Sequence, residues 1–125
     1  MSGNVKLSVL MVEDNTDHIE LCREHLSDDE FDFFVAHNGT ECMAAVRARP
    51  YDVILLDYML PDTTGMDLLP RIREFQVKAL ILFVSANDDV DLSYAAIRAG
   101  ASDYVIKGYG YFRTLRQRIL DAMEG

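Results

Sequence analysis

The sequence predicts an α/β fold in which five parallel strands, each followed by a helix, form one doubly wound sheet. Short apolar runs alternate five times with stretches whose apolar residues recur at helical spacing. Most of the runs are continuously apolar, which is typical of parallel strands covered by helices on both faces. The chain has 125 residues and no Pro-, Gly- or Ser-rich linker, so we expect a single domain over residues 5–123.

The apolar runs are the predicted strands. The third run, Val-Ile-Leu-Leu, is wholly apolar and indicates a central strand. In the second run, Phe31, Phe33 and Val35 alternate with Asp32 and Phe34, which favours a strand at the edge of the sheet. In chain order, the predicted strands span residues 7–12, 31–35, 53–56, 79–84 and 104–106.

The segments between the strands predict five helices. Ile19, Cys22 and Leu26 fall on one helical face. Pro70 is placed near the first turn of its helix, where a missing N–H does least harm, and Gly100 is placed just after the end of another. In chain order, the predicted helices span residues 19–26, 42–46, 65–75, 88–99 and 112–123.

Net charge restricts the classes of partner. The chain has 12 Lys and Arg against 21 Asp and Glu, a formal net charge of −9. This balance disfavours nucleic acid or an anionic membrane as the direct partner and favours cations and basic protein surfaces. No apolar run approaches the roughly 20 residues needed to cross a bilayer, and no export signal opens the chain. We therefore expect a cytoplasmic domain.

The two cysteines are predicted to be buried thiols. Cys22 and Cys42 form no Cys-x-x-Cys pattern, which fits a reducing compartment. His18, Cys22 and His25 lie four and three residues apart along the first helix, a spacing that zinc ligands could use. Because Cys22 lies in the apolar face of that helix, burial explains it better than metal ligation.

The candidate functional residues are those that follow the strands, because ligands bind at the carboxyl ends of the strands in such sheets. These positions hold Glu13, Asp14, Asp57, Ser85 and Lys107. Two like charges repel by about 4 kcal/mol when roughly 4 Å apart at an effective dielectric constant of about 20. Three converging carboxylates therefore need a compensating cation, and Mg²⁺ fits best because it prefers oxygen ligands and retains several waters.

The same residues suit phosphoryl transfer. A carboxylate beside a cation and a lysine can attack a phosphoryl group and form an acyl phosphate. Asp57 is the best candidate nucleophile because it ends the most apolar strand. Lys107 would pair with one phosphoryl oxygen, and the Ser85 hydroxyl would donate to another.

Four motifs together resemble the receiver domain of two-component response regulators: Glu13-Asp14, the segment 57–65 (Asp-Tyr-Met-Leu-Pro-Asp-Thr-Thr-Gly), Ser85-Ala86, and the segment 99–107 that ends at the lysine. The resemblance covers nearly the whole chain. It implies a flavodoxin-like (βα)5 three-layer sandwich with strand order 2-1-3-4-5. It also implies a cytoplasmic signalling domain, not a turnover enzyme, that receives a phosphoryl group from a sensor histidine kinase or phosphotransfer protein.

The resemblance assigns the metal ligands. Asp14 and Asp57 would bind Mg²⁺ together with the backbone carbonyl of Met59, and Glu13 would act largely through bound water. Asp57 would be the phosphoacceptor.

The resemblance also assigns the phosphoryl-binding and switch residues. Ser85 and Lys107 would hold the phosphoryl group, and Tyr104 would turn inward when Ser85 moves toward it. The residue pattern alone leaves open that Tyr104 is a half-buried packing residue.

One departure from the family pattern concerns the residue after the lysine. The family usually has Lys-Pro with a cis peptide bond, and this chain has Lys107-Gly108. A cis bond before a non-proline residue costs about 3–4 kcal/mol, so we expect a trans bond, a rearranged loop and a less firmly held lysine. An alternative reading is therefore a degenerate receiver that acts as a protein interaction module without phosphorylation.

The stretch from Lys107 to Arg118 contains four basic residues and no acidic one. It is either an ordinary solvated face or a partner surface. As a partner surface, the last two helices and the last strand would pair two copies of the chain, with Asp88, Asp89 and Asp91 facing the arginines of the second copy.

Overall fold

A computed structural model describes residues 5–124 of the chain. The strands are β1 (Leu7–Val12), β2 (Phe31–Ala36), β3 (Val53–Asp57), β4 (Leu80–Ser85) and β5 (Asp103–Ile106). The helices are α1 (Thr16–His25), α2 (Gly39–Ala48), α3 (Gly65–Phe75), α4 (Val90–Arg98) and α5 (Leu115–Glu124). All five strands are parallel, in the order β2-β1-β3-β4-β5. The predicted fold class and strand order are confirmed.

The sheet separates two apolar layers. Side chains alternate along each strand, so Leu10 and Ile54 face one layer while Val9 and Leu55 face the other. Helices α2, α3 and α4 cover the first layer, and α1 and α5 cover the second. Strand β2 lies at the edge, as predicted, with Asp32 exposed. This arrangement leaves the two ends of the sheet free of helix bodies.

The helix boundaries follow side-chain caps that the apolar pattern does not reveal. Helix α2 spans Gly39–Ala48, longer than the predicted 42–46, because the Asn38 side chain accepts from the Glu41 N–H and begins the helix early. Helix α3 has the predicted bounds, but Pro70 is its sixth residue and lies in the second turn. The prediction that Pro70 lies near the first turn was wrong.

Other details agree with the sequence. Gly100 has a φ of 118°, the left-handed conformation expected where a helix ends. Cys22 and Cys42 are both fully buried and free. Within residues 5–124, no helix is long and apolar enough to cross a membrane.

Candidate functional site

The carboxyl ends of four strands bring the predicted site residues to one edge of the sheet. Glu13 and Asp14 follow β1, Asp57 ends β3, Ser85 ends β4 and Lys107 follows β5. Asp57 pairs in register with Val84, and Ser85 with Ile106, so the strand ends are level. Glu13, Asp57 and Ser85 are 1%, 7% and 2% exposed, whereas Asp14 is exposed. The site is therefore a buried polar cluster with one acidic residue at its mouth.

Three carboxylates form the centre of this cluster. One oxygen each from Glu13, Asp14 and Asp57 lies within 4.8 Å of the others. Among residues 5–124, this is the only group of three or more His, Cys, Asp or Glu side chains close enough to hold a metal ion. Carboxylate oxygens are hard ligands, and one lysine does not balance three carboxylates, so the donor set fits a divalent cation such as Mg²⁺. His18, Cys22 and His25 form no such group.

Lys107 joins the two buried carboxylates. Its Nζ donates to Glu13 Oε1 at 2.5 Å and lies 3.2 Å from Asp57 Oδ1. The Lys107–Gly108 bond is trans, as predicted, and no peptide bond within the described residues is cis. The Lys107 ammonium reaches the site and contacts both carboxylates, while the expectation that it is held less firmly than in a Lys-Pro receiver stays a prediction. Lys107 thus enters the site in this chain with a trans bond to a glycine.

Burial and mutual charge set the ionisation of these three groups. Burial and the repulsion of Glu13 raise the pKa of Asp57 to about 7, although Lys107 opposes the shift. Burial also disfavours ionised Glu13, but the hydrogen bond and charge of Lys107 outweigh it and lower the pKa of Glu13. For Lys107, the two carboxylates outweigh burial and raise its pKa. Glu13 and Lys107 therefore form an ion pair at neutral pH, beside an Asp57 that titrates there.

Asp57 lies between two hollows. The first is lined by Glu13, Asp14, His18 and Lys107. The second is lined on its far side by Ser85, Ala86 and Asn87. Asp57, Met59 and Lys107 line both hollows, and Met59 is 64% exposed. A group on Asp57 could thus face an acidic wall on one side and a hydroxyl on the other.

Tyr104 is linked to Ser85 through Asn87. The Tyr104 hydroxyl donates to the Asn87 carbonyl at 2.6 Å, and the Asn87 N–H donates to Ser85 Oγ at 3.0 Å. The Tyr104 ring stacks on Phe83, with ring centroids 5.6 Å apart. A displacement of Ser85 would therefore change the anchor of the Tyr104 hydroxyl.

Two residues of this region, Asn87 and His18, were not predicted to lie in the site. Asn87 acts through its backbone, so its residue type carried no signal. His18 lines the hollow, with Nδ1 3.7 Å from Glu13 Oε1. This Nδ1 is the one buried side-chain N or O atom without a hydrogen-bond partner in the part of the chain that the structure describes. The position of His18, four residues after Asp14 on the first helical turn, was the available signal.

Two of the basic residues in the last helix form hydrogen bonds with acidic residues of the same chain. Arg116 makes two hydrogen bonds to Glu30, at 2.8 and 2.7 Å. Arg118 makes two to Asp103 and a third to the Tyr104 carbonyl. Both guanidinium groups therefore already have acidic partners within the chain.

Comparison with known proteins agrees with this geometry. The family model of the response regulator receiver domain matches residues 9–120. The regulatory protein LuxO of Vibrio cholerae is 36% identical over 97 residues, which are 78% of this chain but 21% of that protein. The chain thus spans about a fifth of the length of that relative.

Solved structures show the same fold. The signal receiver domain of a LuxO repressor protein from Vibrio parahaemolyticus has a TM-score of 0.83 at 27% identity, covering 96% of this chain and 92% of that one. A response regulator from Burkholderia pseudomallei has a TM-score of 0.82 at 22% identity, covering 95% and 70%. That structure contains a phosphorylated aspartic acid, a calcium ion and citrate.

Proposed function

The chain belongs to the response regulator receiver domain family of two-component signalling, and from that premise we propose that Asp57 is its phosphoacceptor. The observation that carries the proposal is the position of Asp57: a buried carboxylate at the end of β3, between an acidic hollow and a hydroxyl-lined hollow. An Asp57 carboxylate oxygen forms a bond to phosphorus while the phosphorus–nitrogen bond of a phosphohistidine breaks, giving an acyl phosphate.

The other residues of the site would stabilise the transferred group. Lys107 lies 3.2 Å from Asp57 Oδ1 and would pair with one phosphoryl oxygen. Ser85 lines the second hollow, and its hydroxyl would donate to another oxygen. Lys107 Nζ is thus already beside the carboxylate that would carry the phosphoryl group.

The acidic hollow would hold Mg²⁺. Asp14, Asp57 and the backbone carbonyl of Met59 would be its direct protein ligands, and Glu13 would act mainly through bound water. When bound, the ion would neutralise phosphoryl oxygens and the carboxylates together. The presence of all five strand-end residues in one cluster argues against the alternative of a degenerate receiver that only binds other proteins.

The Ser85–Asn87–Tyr104 connection supports a conformational output. Movement of Ser85 toward a phosphoryl group on Asp57 would pull on the Asn87 N–H and loosen the Tyr104 hydroxyl from the Asn87 carbonyl. Tyr104 would then turn inward, changing the surface formed by α4 and β5.

The partners of this domain would be a sensor histidine kinase or phosphotransfer protein, and a second copy of the chain. The exposed face of α4 and β5, together with the loop after β5, carries apolar side chains that the core does not use: Val90, Tyr94, Ile97, Ile106 and Tyr109. Because Arg116 and Arg118 are paired internally, we expect apolar contact, more than charge pairing, to hold such a dimer. Sedimentation that stays monomeric with beryllofluoride bound at Asp57 would contradict it.

Phosphorylation of Asp57 is tested directly by mass spectrometry after incubation with Mg²⁺ and acetyl phosphate. We expect one phosphoryl adduct on the wild-type chain, none on Asp57→Asn, and normal labelling of Asp67→Asn, an exposed aspartate on α3. Omission of Mg²⁺ should remove the adduct. A wild-type chain that binds Mg²⁺ but forms no adduct would favour the degenerate receiver instead.

A further inference from the structure

The loop between β3 and α3 is fastened to the first turn of α2 by the side chain of Asp62. Asp62 Oδ1 accepts from the Gly39 N–H at 2.8 Å. Asp62 Oδ2 accepts from the Thr40 N–H and from Thr40 Oγ1, each at 3.1 Å. Both carboxylate oxygens are therefore used in a contact between segments 22 or 23 residues apart. These bonds lower the pKa of Asp62, so the carboxylate is ionised at neutral pH.

Gly39 permits the close approach of the two segments. A Cβ placed on Gly39 would lie 2.5 Å from Thr63 Cγ2 and 3.2 Å from Asp62 Oδ1. Any larger residue at position 39 would force the side chains of Thr63 and Asp62 to shift away from α2. The fit is thus specified from both sides, by a carboxylate on the loop and by a glycine on the helix.

Asp62 lies at the tip of a small hairpin that carries Met59. Met59 forms an antiparallel bridge with Thr64, and the Leu60 N–H donates to the Thr63 carbonyl at 3.2 Å. The hairpin is closed at its base by the Gly65 N–H, which donates to the Tyr58 carbonyl at 2.7 Å. Fixing the tip therefore restricts the backbone of Met59, two residues after Asp57.

We propose that Asp62 is a positioning residue for the cation pocket. Its hydrogen bonds join the hairpin to α2 and so hold the Met59 backbone in place. This inference rests on the proposed function, in which the Met59 carbonyl is a metal ligand. Asp62 itself does not line the first hollow, so its effect would be transmitted through the backbone. Outer groups that orient metal ligands commonly change metal affinity by about 10- to 100-fold.

A role as a helix cap alone is a weaker explanation. Helix α2 already has its own cap, since the Asn38 side chain accepts from the Glu41 N–H at 2.8 Å. The two carboxylate oxygens of Asp62 are additional acceptors that come from a distant loop. Their effect is to fix the distance between that loop and α2. Loss of Asn38 would weaken α2 and leave the hairpin fastened, which gives a matched control.

The test is Mg²⁺ affinity, measured by titration calorimetry on the full chain at high ionic strength and well below its unfolding temperature. We expect Asp62→Ala to weaken Mg²⁺ binding by about tenfold, as for other orienting groups. Gly39→Ala should also weaken Mg²⁺ binding. Because both changes break the same contact, the binding free energy lost by the double variant should be smaller than the sum of the losses in the two single variants. Asp62→Asn, which retains the volume, serves if Asp62→Ala is unfolded.

Two controls separate tethering from charge and from helix stability. Asp67→Asn removes a nearby exposed charge, and Asn38→Ala removes the α2 cap; each should leave Mg²⁺ affinity within about twofold, as expected of screened surface changes. Amide hydrogen exchange at residues 59–64 should accelerate in Asp62→Ala and in Gly39→Ala, and in neither control. Unchanged Mg²⁺ affinity in Asp62→Ala and Asp62→Asn, or an equal loss in either control, would overturn this inference. Failure of the wild-type chain to bind Mg²⁺ would overturn the proposed cation pocket and this inference together.

Discussion

The two ends of the sheet treat buried polar groups in opposite ways. At the amino ends of the strands, each buried or half-buried polar side chain meets a partner of matching chemistry. Gln76, which is 3% exposed, accepts from the Tyr51 N–H and donates to the carbonyls of Val46 and Arg49. Arg73 donates to four carbonyls there, those of Gly100, Gln76, Val77 and Ala79. This end joins helices and strands into one unit.

At the carboxyl ends of the strands, negatively charged side chains lie close together and outnumber the positive charges beside them. Two buried carboxylates share one lysine, and a third carboxylate lies within 4.8 Å. The unpartnered His18 Nδ1 lies at this end too. Like charges held in place raise the free energy of the folded chain and prepare it for a cation and a phosphoryl group. Stability is concentrated at one end of the sheet, and binding capacity at the other.

Removing the side-chain amide of Gln76 should give the largest loss of stability. Gln76→Leu deletes two buried hydrogen bonds and one partly buried one, and leaves one N–H and two carbonyls without those partners, so we expect the free energy of unfolding to fall by about 3 kcal/mol. Urea unfolding measures the change. Gln117→Leu on the exposed surface of α5 is the control and should change little. A loss below about 1 kcal/mol in Gln76→Leu would show that the amino end is less important to stability than its contacts indicate.

Neutralising Asp57 should instead raise the free energy of unfolding. Because the pKa of Asp57 is raised from an ordinary 3.8 to about 7, the folded chain binds this proton more tightly than the unfolded chain does. The free energy of unfolding therefore declines as pH rises from about 4 to about 7. Asp57→Asn removes this decline, so we expect a gain of about 2 kcal/mol at pH 8 in chelator, and little gain near pH 4.

Asp52, which lies at the amino end of β3, provides a second aspartate for comparison with Asp57. Asp52 accepts from the N–H and the hydroxyl of Ser8, at 2.9 and 3.2 Å, so Asp52→Asn should lower the free energy of unfolding by about 0.5–1 kcal/mol. Urea unfolding at pH 4, 6 and 8 compares both variants with wild type. If Asp57→Asn were destabilising at pH 8, repulsion between like charges would not be what lowers the stability of the carboxyl end.

The sequence predicted the carboxyl end better than it predicted the boundaries of helices. Five residues were placed together because each follows a strand, a rule that depends only on recognising the strands and their parallel order. The start of α2 at Gly39 depends on the Asn38 cap, and the first turn of α2 contacts Asp62, which is 23 residues away from Gly39. The pairing of Arg118 with Asp103 likewise depends on tertiary placement. Local periodicity carries no information about such distant partners.

The smallest expected effect concerns the residue that departs from the family pattern. A Cβ on Gly108 would meet no atom within 4 Å, and Gly108 is not among the glycines with positive φ. Its N–H donates to the Ile106 carbonyl at 2.8 Å, which an alanine retains. We therefore expect Gly108→Ala to change the free energy of unfolding by less than about 0.5 kcal/mol, with a slight gain from the stiffer unfolded chain.

Gly110, two residues later, provides the contrast within the same loop. Its φ of 72° is left-handed, and an added Cβ would lie 3.1 Å from Arg113 Nη1, so Gly110→Ala should destabilise the chain by about 1 kcal/mol. Urea unfolding and phosphorylation by acetyl phosphate are measured on both variants. Equal phosphorylation of Gly108→Ala and wild type would mean that the Lys107 ammonium is held by Glu13 and Asp57, with no special conformation needed at the next residue. A marked loss of phosphorylation in Gly108→Ala would instead assign the loop itself a part in placing the lysine at the functional end of the sheet.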